Sequence, residues 1–163
     1  MAVSESRTSD QLFIFMHIPK TAGSTMRSII DQQFPAHTIL NHPNEIPTFK
    51  ELAAILSVKQ MNQIRCIKGH YPFGIHKYFN ERPYTYITML RDPVERVISL
   101  FYYIKSEPYH PNYHIVKNMN FSEFLAIDRK IIEENDSLYQ LHFENTQTLY
   151  ASGGNNIDLN TAR

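Results

Sequence analysis

The segment Leu12 to Ile18, apolar except for His17, is rich in β-branched and aromatic residues. Such a run is typical of a strand buried on both faces, as in parallel sheets, rather than of a half-exposed strand. Pro19 ends the run, and apolar residues on one face predict a helix from about Ser24 to Gln33. A buried strand that leads directly into a helix favours folds in which strands and helices alternate.

The same alternation continues along the rest of the chain. Extended segments are predicted at residues 37–40, 64–68 and 84–90. Helices are predicted at residues 48–63, for three turns from residue 93, and at residues 120–129, each after a capping sequence. Residues 107–120 include Pro108 and Pro111 and are predicted to form a loop. The chain is therefore predicted to have an α/β fold with a mainly parallel sheet flanked by helices.

Length and charge limit the classes of function. The 163 residues suffice for one domain. We predict a flexible N-terminus at residues 1–11, the domain at 12–153 and a polar tail at 154–163. The 16 basic and 16 acidic residues balance, so no overall charge attracts nucleic acid or an anionic membrane. Any anion site must therefore be built locally. The single cysteine, Cys66, excludes an internal disulfide and is predicted to be a buried structural thiol.

The start of the chain is polar and has no secretory signal pattern. The longest apolar run is far shorter than the ~20 residues that span a bilayer. We therefore expect a cytoplasmic protein without a membrane span. The sequence indicates no oligomeric state.

The turn after the first strand has the composition of an anion-binding loop. Backbone N–H groups and the positive end of a helix dipole would converge there, which suits a phosphate or a sulfate. Lys20 adds a positive charge, Ser24 and Thr25 add hydroxyl donors, and Gly23 is expected to let the backbone approach a ligand closely. The lysine precedes the small residues, so this is not a Walker A loop. Taken alone, the segment also fits an ordinary strand-to-helix turn with an exposed lysine.

Residues 17–25, which read HIPKTAGST, resemble the 5′-phosphosulfate loop of the sulfotransferases that use 3′-phosphoadenosine 5′-phosphosulfate (PAPS). They are most similar to the branch of the heparan sulfate 2-O- and 6-O-sulfotransferases and their prokaryotic relatives. Residues 90–101 resemble the family's 3′-phosphate motif, in which an arginine at a strand end and a serine on the next helix hold that phosphate. The resemblance implies a P-loop-like nucleotide-binding fold and these donor-binding residues: Lys20, Thr21, Ala22, Gly23, Ser24, Thr25, Arg91 and Ser99.

The spacing within the second motif agrees with two separate anion sites. Ser99 lies about two turns into its predicted helix, on the order of 10 Å from the helix start. It therefore cannot share a group held by the first loop. It can hold a second phosphate together with Arg91, whose guanidinium suits bidentate phosphate contacts. Residues 91–99 considered alone would also describe a capped amphipathic helix.

Residues 68–74 resemble the segment that carries a histidine base in this branch. His70 lies at the end of a predicted strand, where α/β enzymes place their ligands. The pKa of a histidine is near neutral, which suits removal of a hydroxyl proton, so His70 is the predicted general base. A histidine at a strand end is also compatible with a buried or surface residue without a catalytic role. Lys68 stands where the 2-O branch has a second histidine, which leaves the class of acceptor open.

The resemblance implies sulfuryl transfer from PAPS to an acceptor hydroxyl, by analogy that of a carbohydrate. His70 would take the hydroxyl proton and Lys20 would neutralise charge on the leaving group. No metal is required. His110 and His114 flank Pro111, which argues against a helix that would bring them together on a metal. The alternatives are a small ATP- and Mg²⁺-dependent kinase with a variant phosphate loop and a non-catalytic PAPS-binding fragment.

The remaining sequence features concern the extent of the domain and the type of acceptor. Residues 145–153 resemble a late family helix, with Leu149 in the place of an arginine. Family domains usually continue with another strand and helix, so we expect a chain that lacks its C-terminal part. The tyrosines of residues 102–113 could line a sugar or phenol site, but we expect them to pack against the helix face and its loop.

Overall fold

The computed structural model describes residues 11–41, 56–79, 82–127 and 146–153. Its strands are β1 (Leu12–Met16), β2 (Ile39–Asn41), β3 (Cys66–Gly69) and β4 (Tyr84–Thr88). Its α-helices are α1 (Gly23–Gln33), α2 (Val58–Gln63), α3 (Pro93–Ser106), α4 (Tyr113–Val116), α5 (Phe121–Leu125) and α6 (Thr146–Ser152). Short 3₁₀ helices lie at Ala36–Thr38 and Ile75–Tyr78.

The strands form one parallel sheet in the order β2-β3-β1-β4. β1 is a central strand, and its pairing places Met16 beside Gly69 of β3 and beside Thr88 of β4. A central strand of a parallel sheet is covered on both faces, which explains why β1 reads as an unbroken apolar run. The predicted α/β fold with a parallel sheet is confirmed.

Side chains that alternate along β1 supply two apolar layers. Phe15 packs with Cys66 of β3 and with Ile30 of α1 on one face. Leu12 and Ile14 point to the other face, where the layer is completed by Ile64, Ile67, Tyr71, Ile75 and Phe79, with Met61 of α2 packed against it. Burial of each large side chain stabilises the fold by roughly 1.5–3 kcal/mol. The two apolar layers fix the strands from which the loops at the carboxyl edge of the sheet begin.

The described residues divide into two compact units. Residues up to Met89, together with those from Gln147, form the first unit, which contains the sheet. Residues Leu90–Thr146 form the second unit, whose core is made by Leu100, Phe101, Ile104, Val116 and Phe124 from α3, α4 and α5. The predicted terminal segments fall almost entirely outside the described residues, so the domain limits stay a prediction. No helix in the described part of the chain has both the length and the apolar character to cross a bilayer.

Several predicted helix ends are confirmed. Asp92 caps α3 by accepting a hydrogen bond from the Glu95 amide at 3.0 Å, with Pro93 at the first helical position. Asn120 and Glu123 form the predicted capping box of α5. The structure ends α5 at Leu125, whereas the helix was predicted to reach residue 129, which lies outside the described residues.

Other predicted segments also differ from the structure. The segment predicted as extended at residues 37–40 begins within a 3₁₀ helix, Ala36–Thr38, and the strand β2 is Ile39–Asn41. One helix over residues 48–63 is wrong, because Ser57 is extended and caps α2 through the amide of Gln60. A serine whose hydroxyl satisfies the next helix's N–H groups starts a helix rather than continuing one. Residues 48–55 lie outside the described residues. Residues 107–120, predicted as a loop, contain the single turn α4.

Candidate functional site

The parallel strands β1, β3 and β4 end side by side at one edge of the sheet. The amide of His17 donates a hydrogen bond to the carbonyl of Gly69 at 2.8 Å, and the Thr88 hydroxyl donates to the carbonyl of Met16 at 2.8 Å. This edge is where open α/β sheets bind ligands, because the loops that leave the strands meet there. The predicted anion loop begins at this edge after β1, and the predicted base, His70, follows β3 there.

The loop between β1 and α1 contains two residues in a backbone conformation that favours glycine. Lys20 has φ of 67° and Ala22 has φ of 64°. Left-handed conformations of non-glycine residues cost about 1–2 kcal/mol each and cluster at functional sites. Between them, Thr21 is buried and its hydroxyl donates to the carbonyl of Ile18 at 2.8 Å. Thr21 thus anchors the loop from inside, and its hydroxyl is already engaged.

The first turn of α1 has the character of an anion site. Ala22 occupies the N-cap and offers no side-chain acceptor to the helix, and the first turn contains no acidic residue. Ser24 and Thr25 are exposed, so their hydroxyls add to the N–H groups of this turn. Helix N-termini without a capping oxygen attract anions through these N–H groups and the helix dipole. The predicted strand-loop-helix arrangement of residues 17–25 is confirmed, while ligand contacts by Lys20 to Thr25 stay a prediction.

Gly23 is required by a contact that the sequence did not reveal. A Cβ atom at this position would lie 1.7 Å from Nε2 of His17. The His17 ring therefore lies directly over the Cα of the first residue of α1. We expected Gly23 to let a ligand approach the backbone, and the structure shows a side chain of the same chain in close approach.

His17 and His70 form a stacked pair. Their ring centroids are 4.4 Å apart with an interplanar angle of 28°. Nδ1 of His70 lies 2.8 Å from the backbone carbonyl of His17. A carbonyl only accepts, so in this hydrogen bond Nδ1 carries the proton and Nε2 of neutral His70 carries the lone pair. The His70 side chain is exposed, so it is accessible to an acceptor.

The environment of His17 keeps its ring neutral. Burial, with smaller effects from the charges of His70, Arg27 and Lys20, lowers the pKa of His17 from 6.5 to about 4. The ring is also stacked with the buried Phe15, at a centroid distance of 5.7 Å. We gave His17 no role from the sequence, although a histidine directly after a buried strand was the available signal.

Lys68 has a structural partner. Its side chain is 3% exposed and forms an ion pair with Asp31 of α1. A buried ammonium group needs such a partner, since an unpaired charge in the interior is strongly unfavourable. Lys68 therefore links β3 to the helix that starts at the anion loop.

Arg91 and Ser99 belong to the second unit, whereas the loop with Lys20 belongs to the first. The Arg91 guanidinium contacts the Glu95 carboxylate at 3.3 Å, and its side chain is 38% exposed. Ser99 lies on α3 and is partly buried. A phosphate at Arg91 would share the guanidinium with Glu95, which its five N–H donors allow. Their joint contact with a 3′-phosphate stays a prediction.

Arg96, a buried arginine in the same motif, was given no role from the sequence. Arg96 is 2% exposed and donates to the hydroxyl of Thr146 at 3.0 Å. Thr146 is the first residue of α6, the helix predicted within residues 145–153. Val94, an apolar residue in the first turn of α3, is 66% exposed. The buried face of α3 thus includes an arginine in a hydrogen bond.

Two further expectations concern the region after the second motif. Tyr109 is 95% exposed, so the prediction that these tyrosines pack against the helix face and its loop is wrong for Tyr109. The ring of Tyr102 is 64% exposed and still contacts the ring of Phe101 in α3, with centroids 5.3 Å apart. The side-chain Nδ1 of His110 accepts a hydrogen bond from the Asn112 amide. Within the four described ranges, no group of three or more His, Cys, Asp or Glu residues is placed to hold a metal ion.

Comparisons with known proteins identify the family. Searches of curated proteins and of solved structures gave no match. A family model described as the Sulfotransferase family matches residues 7–156, a range that contains β1, the anion loop, His70 and the Arg91 motif. The chain therefore belongs to the Sulfotransferase family.

Proposed function

We propose that the protein transfers a sulfuryl group from PAPS to an acceptor hydroxyl. The observation that carries the proposal is that the candidate base lies close to the candidate anion site. His70 stacks on His17, and the His17 ring lies against Gly23 at the start of α1. A candidate base and a helix N-terminus suited to a phosphosulfate are thus one imidazole ring apart. Membership of the Sulfotransferase family supports the same reaction class.

Residues at the anion loop suit the 5′ end of the donor. The N–H groups of the first turn of α1 and the hydroxyls of Ser24 and Thr25 would donate to the 5′-phosphate. PAPS supplies an activated sulfuryl group, with 3′-phosphoadenosine 5′-phosphate as the leaving group. Lys20 would neutralise the charge that develops on the bridging oxygen as the leaving group departs. Arg91 and Ser99 would hold the 3′-phosphate, as the family resemblance implies.

His70 is suited to the proton transfer that the reaction requires. Nδ1 donates to the His17 carbonyl, so in this tautomer Nε2 is the basic nitrogen that would accept the proton of the acceptor hydroxyl. As the new O–S bond forms, the bond from sulfur to the leaving phosphate oxygen breaks and the proton moves to Nε2. The resemblance of residues 17–25 to the heparan sulfate branch favours a carbohydrate hydroxyl as the acceptor.

Transfer is tested with sulfur-35-labelled PAPS and a panel of saccharide, phenol and lipid acceptors, without divalent metal. We expect label on a saccharide. Lys20→Ala and His70→Ala should lower turnover by about 100-fold or more while affinity for 3′-phosphoadenosine 5′-phosphate changes little. Lys59→Ala and His37→Ala, which alter exposed residues, are the matched controls.

Three results would contradict the proposal in different ways. Transfer of the γ-phosphate of ATP with Mg²⁺, and not of the sulfuryl group, would favour the kinase alternative. Nucleotide binding without turnover on any acceptor would favour a donor-binding fragment. Full activity of His70→Ala would remove His70 as the base.

A further inference from the structure

We propose that His17 is a positioning residue, whose neutral ring and backbone carbonyl together hold His70 in the orientation and tautomer of a base. This inference rests on the proposed function, because it assigns His17 a task in that reaction. It goes beyond it by giving the first residue of the loop a role distinct from donor binding.

His17 fixes His70 through two contacts of different kinds. The stacked rings, with centroids 4.4 Å apart, limit rotation of the exposed His70 side chain. The carbonyl of His17 lies 2.8 Å from Nδ1 and selects the tautomer with the lone pair on Nε2. The carbonyl selects the tautomer only while the ring stays in place, because an exposed histidine otherwise samples other rotamers. Both contacts come from one residue at the end of β1.

The ring of His17 acts through its faces rather than through its nitrogens. Nδ1 of His17 is buried and makes no hydrogen bond with any described residue. Nε2 lies against the Cα of Gly23. A planar apolar ring would make the same contacts and would avoid the cost of burying an unsatisfied nitrogen, about 1–3 kcal/mol. His17→Phe should therefore preserve the arrangement.

A neutral His17 ring also suits the proton transfer to His70. The charged groups that lower the pKa of His17 are His70, Arg27 and Lys20, and all three are cationic when protonated. When His70 accepts the acceptor proton it becomes an imidazolium. A charged ring at 4.4 Å would oppose that step, whereas a neutral ring does not.

Gly23 leaves the space that the His17 ring occupies. A Cβ atom there would overlap with the His17 ring, since its distances to three ring atoms are 1.7, 1.9 and 2.6 Å. Gly23→Ala should therefore displace the ring and release His70, much as removal of the ring does. In the His17→Ala/Gly23→Ala double variant the overlap is absent, so the two effects should not add.

The kinetic test compares wild type, His17→Phe, His17→Ala and Gly23→Ala, with His37→Ala as the control. We expect His17→Ala and Gly23→Ala to lower kcat by about 10- to 100-fold. Only His17→Ala should do so with little change in affinity for 3′-phosphoadenosine 5′-phosphate, because Gly23 also belongs to the predicted donor-binding loop. His17→Phe should stay within about threefold of wild type. Equal kcat for His17→Ala and wild type would overturn the inference, as would an equal loss in His17→Phe and His17→Ala.

A second measurement does not depend on turnover. The tautomer of His70 is read from its side-chain ¹⁵N chemical shifts above the pH at which it is protonated. Wild type and His17→Phe should show protonated Nδ1, and His17→Ala should shift towards the Nε2-protonated form that dominates in free histidine. Loss of stability alone would not change the tautomer of the molecules that remain folded. Circular dichroism identifies the folded variants, and His17→Leu replaces His17→Ala if the latter does not fold.

The two failures are distinguishable. If sulfuryl transfer is absent but the tautomer depends on the ring as expected, the proposed function fails and the positioning by His17 stands. If His70 in His17→Ala or His17→Leu keeps the wild-type tautomer, the positioning fails whatever the reaction.

Discussion

Acidification should destabilise the folded protein through His17. The ring titrates with a pKa of about 4 in the folded chain, against 6.5 for an ordinary histidine. Between these values the unfolded chain binds a proton that the folded chain does not, so lowering the pH favours unfolding. The contribution of His17 is fully present above pH 6.5, declines between pH 6.5 and pH 4, and changes no further below pH 4.

The size of this effect follows from the same values. The difference of 6.5 minus 4 corresponds to at most about 3.4 kcal/mol, at 1.36 kcal/mol for each pH unit. The ring is only partly buried, so solvent screening reduces the expected loss to roughly 1–2 kcal/mol. For a domain of this length such a loss lowers Tm by several degrees.

Urea unfolding at a series of pH values between 4 and 7.5 measures the effect. His17→Phe is the matched variant, because it keeps a planar ring and cannot be protonated. Subtracting its unfolding free energies from those of wild type cancels other groups, including His76, whose pKa is also lowered by burial. The difference should favour His17→Phe increasingly as the pH falls from 6.5 to 4. A difference that does not change with pH would refute the reasoning.

Three further predictions concern the scaffold. Asp31→Asn should destabilise the protein by about 2 kcal/mol, since it removes the charged partner of the buried Lys68. Adding Lys68→Met to Asp31→Asn should restore much of the lost stability. Equal urea midpoints for wild type, the single variant and the double variant would contradict this prediction. Gly153→Ala should lower Tm, because φ is +74° and the new Cβ would lie 2.3 Å from the Phe73 carbonyl oxygen; an unchanged Tm would contradict both constraints. Cys66 is buried with its thiol pKa raised to about 11, so iodoacetamide at pH 8 should modify it only after unfolding, and rapid labelling of the folded protein would contradict this.

The parts of the fold that the sequence predicted well depend on local patterns. The apolar run of β1 and the Asp92–Pro93 start of α3 each lie within a few neighbouring residues, and the structure agrees with both. The error at Ser57 arose between two local signals. Thr48 to Glu51 and Ser57 with Gln60 both match the pattern of a helix start, and the prediction of one helix over residues 48–63 used only the first.

The features of the site that the sequence did not reveal depend on contacts between distant residues. His70 lies 53 positions from His17, and Thr146 lies 50 positions from Arg96. Nothing in the local pattern of either pair indicates that the two residues meet, because the contact exists only once the fold brings them together. Sequence reasoning could therefore propose His70 as a base but could not identify the residue that contacts its ring.

Calorimetric titration with 3′-phosphoadenosine 5′-phosphate in the absence of Mg²⁺ tests most directly whether this protein holds a PAPS-type donor. We predict binding in the micromolar range and clearly weaker binding of adenosine 5′-monophosphate, which lacks the 3′-phosphate. No binding of the doubly phosphorylated nucleotide, or preferential binding of ATP with Mg²⁺, would contradict the proposed donor and the chemistry assigned to Lys20 and His70.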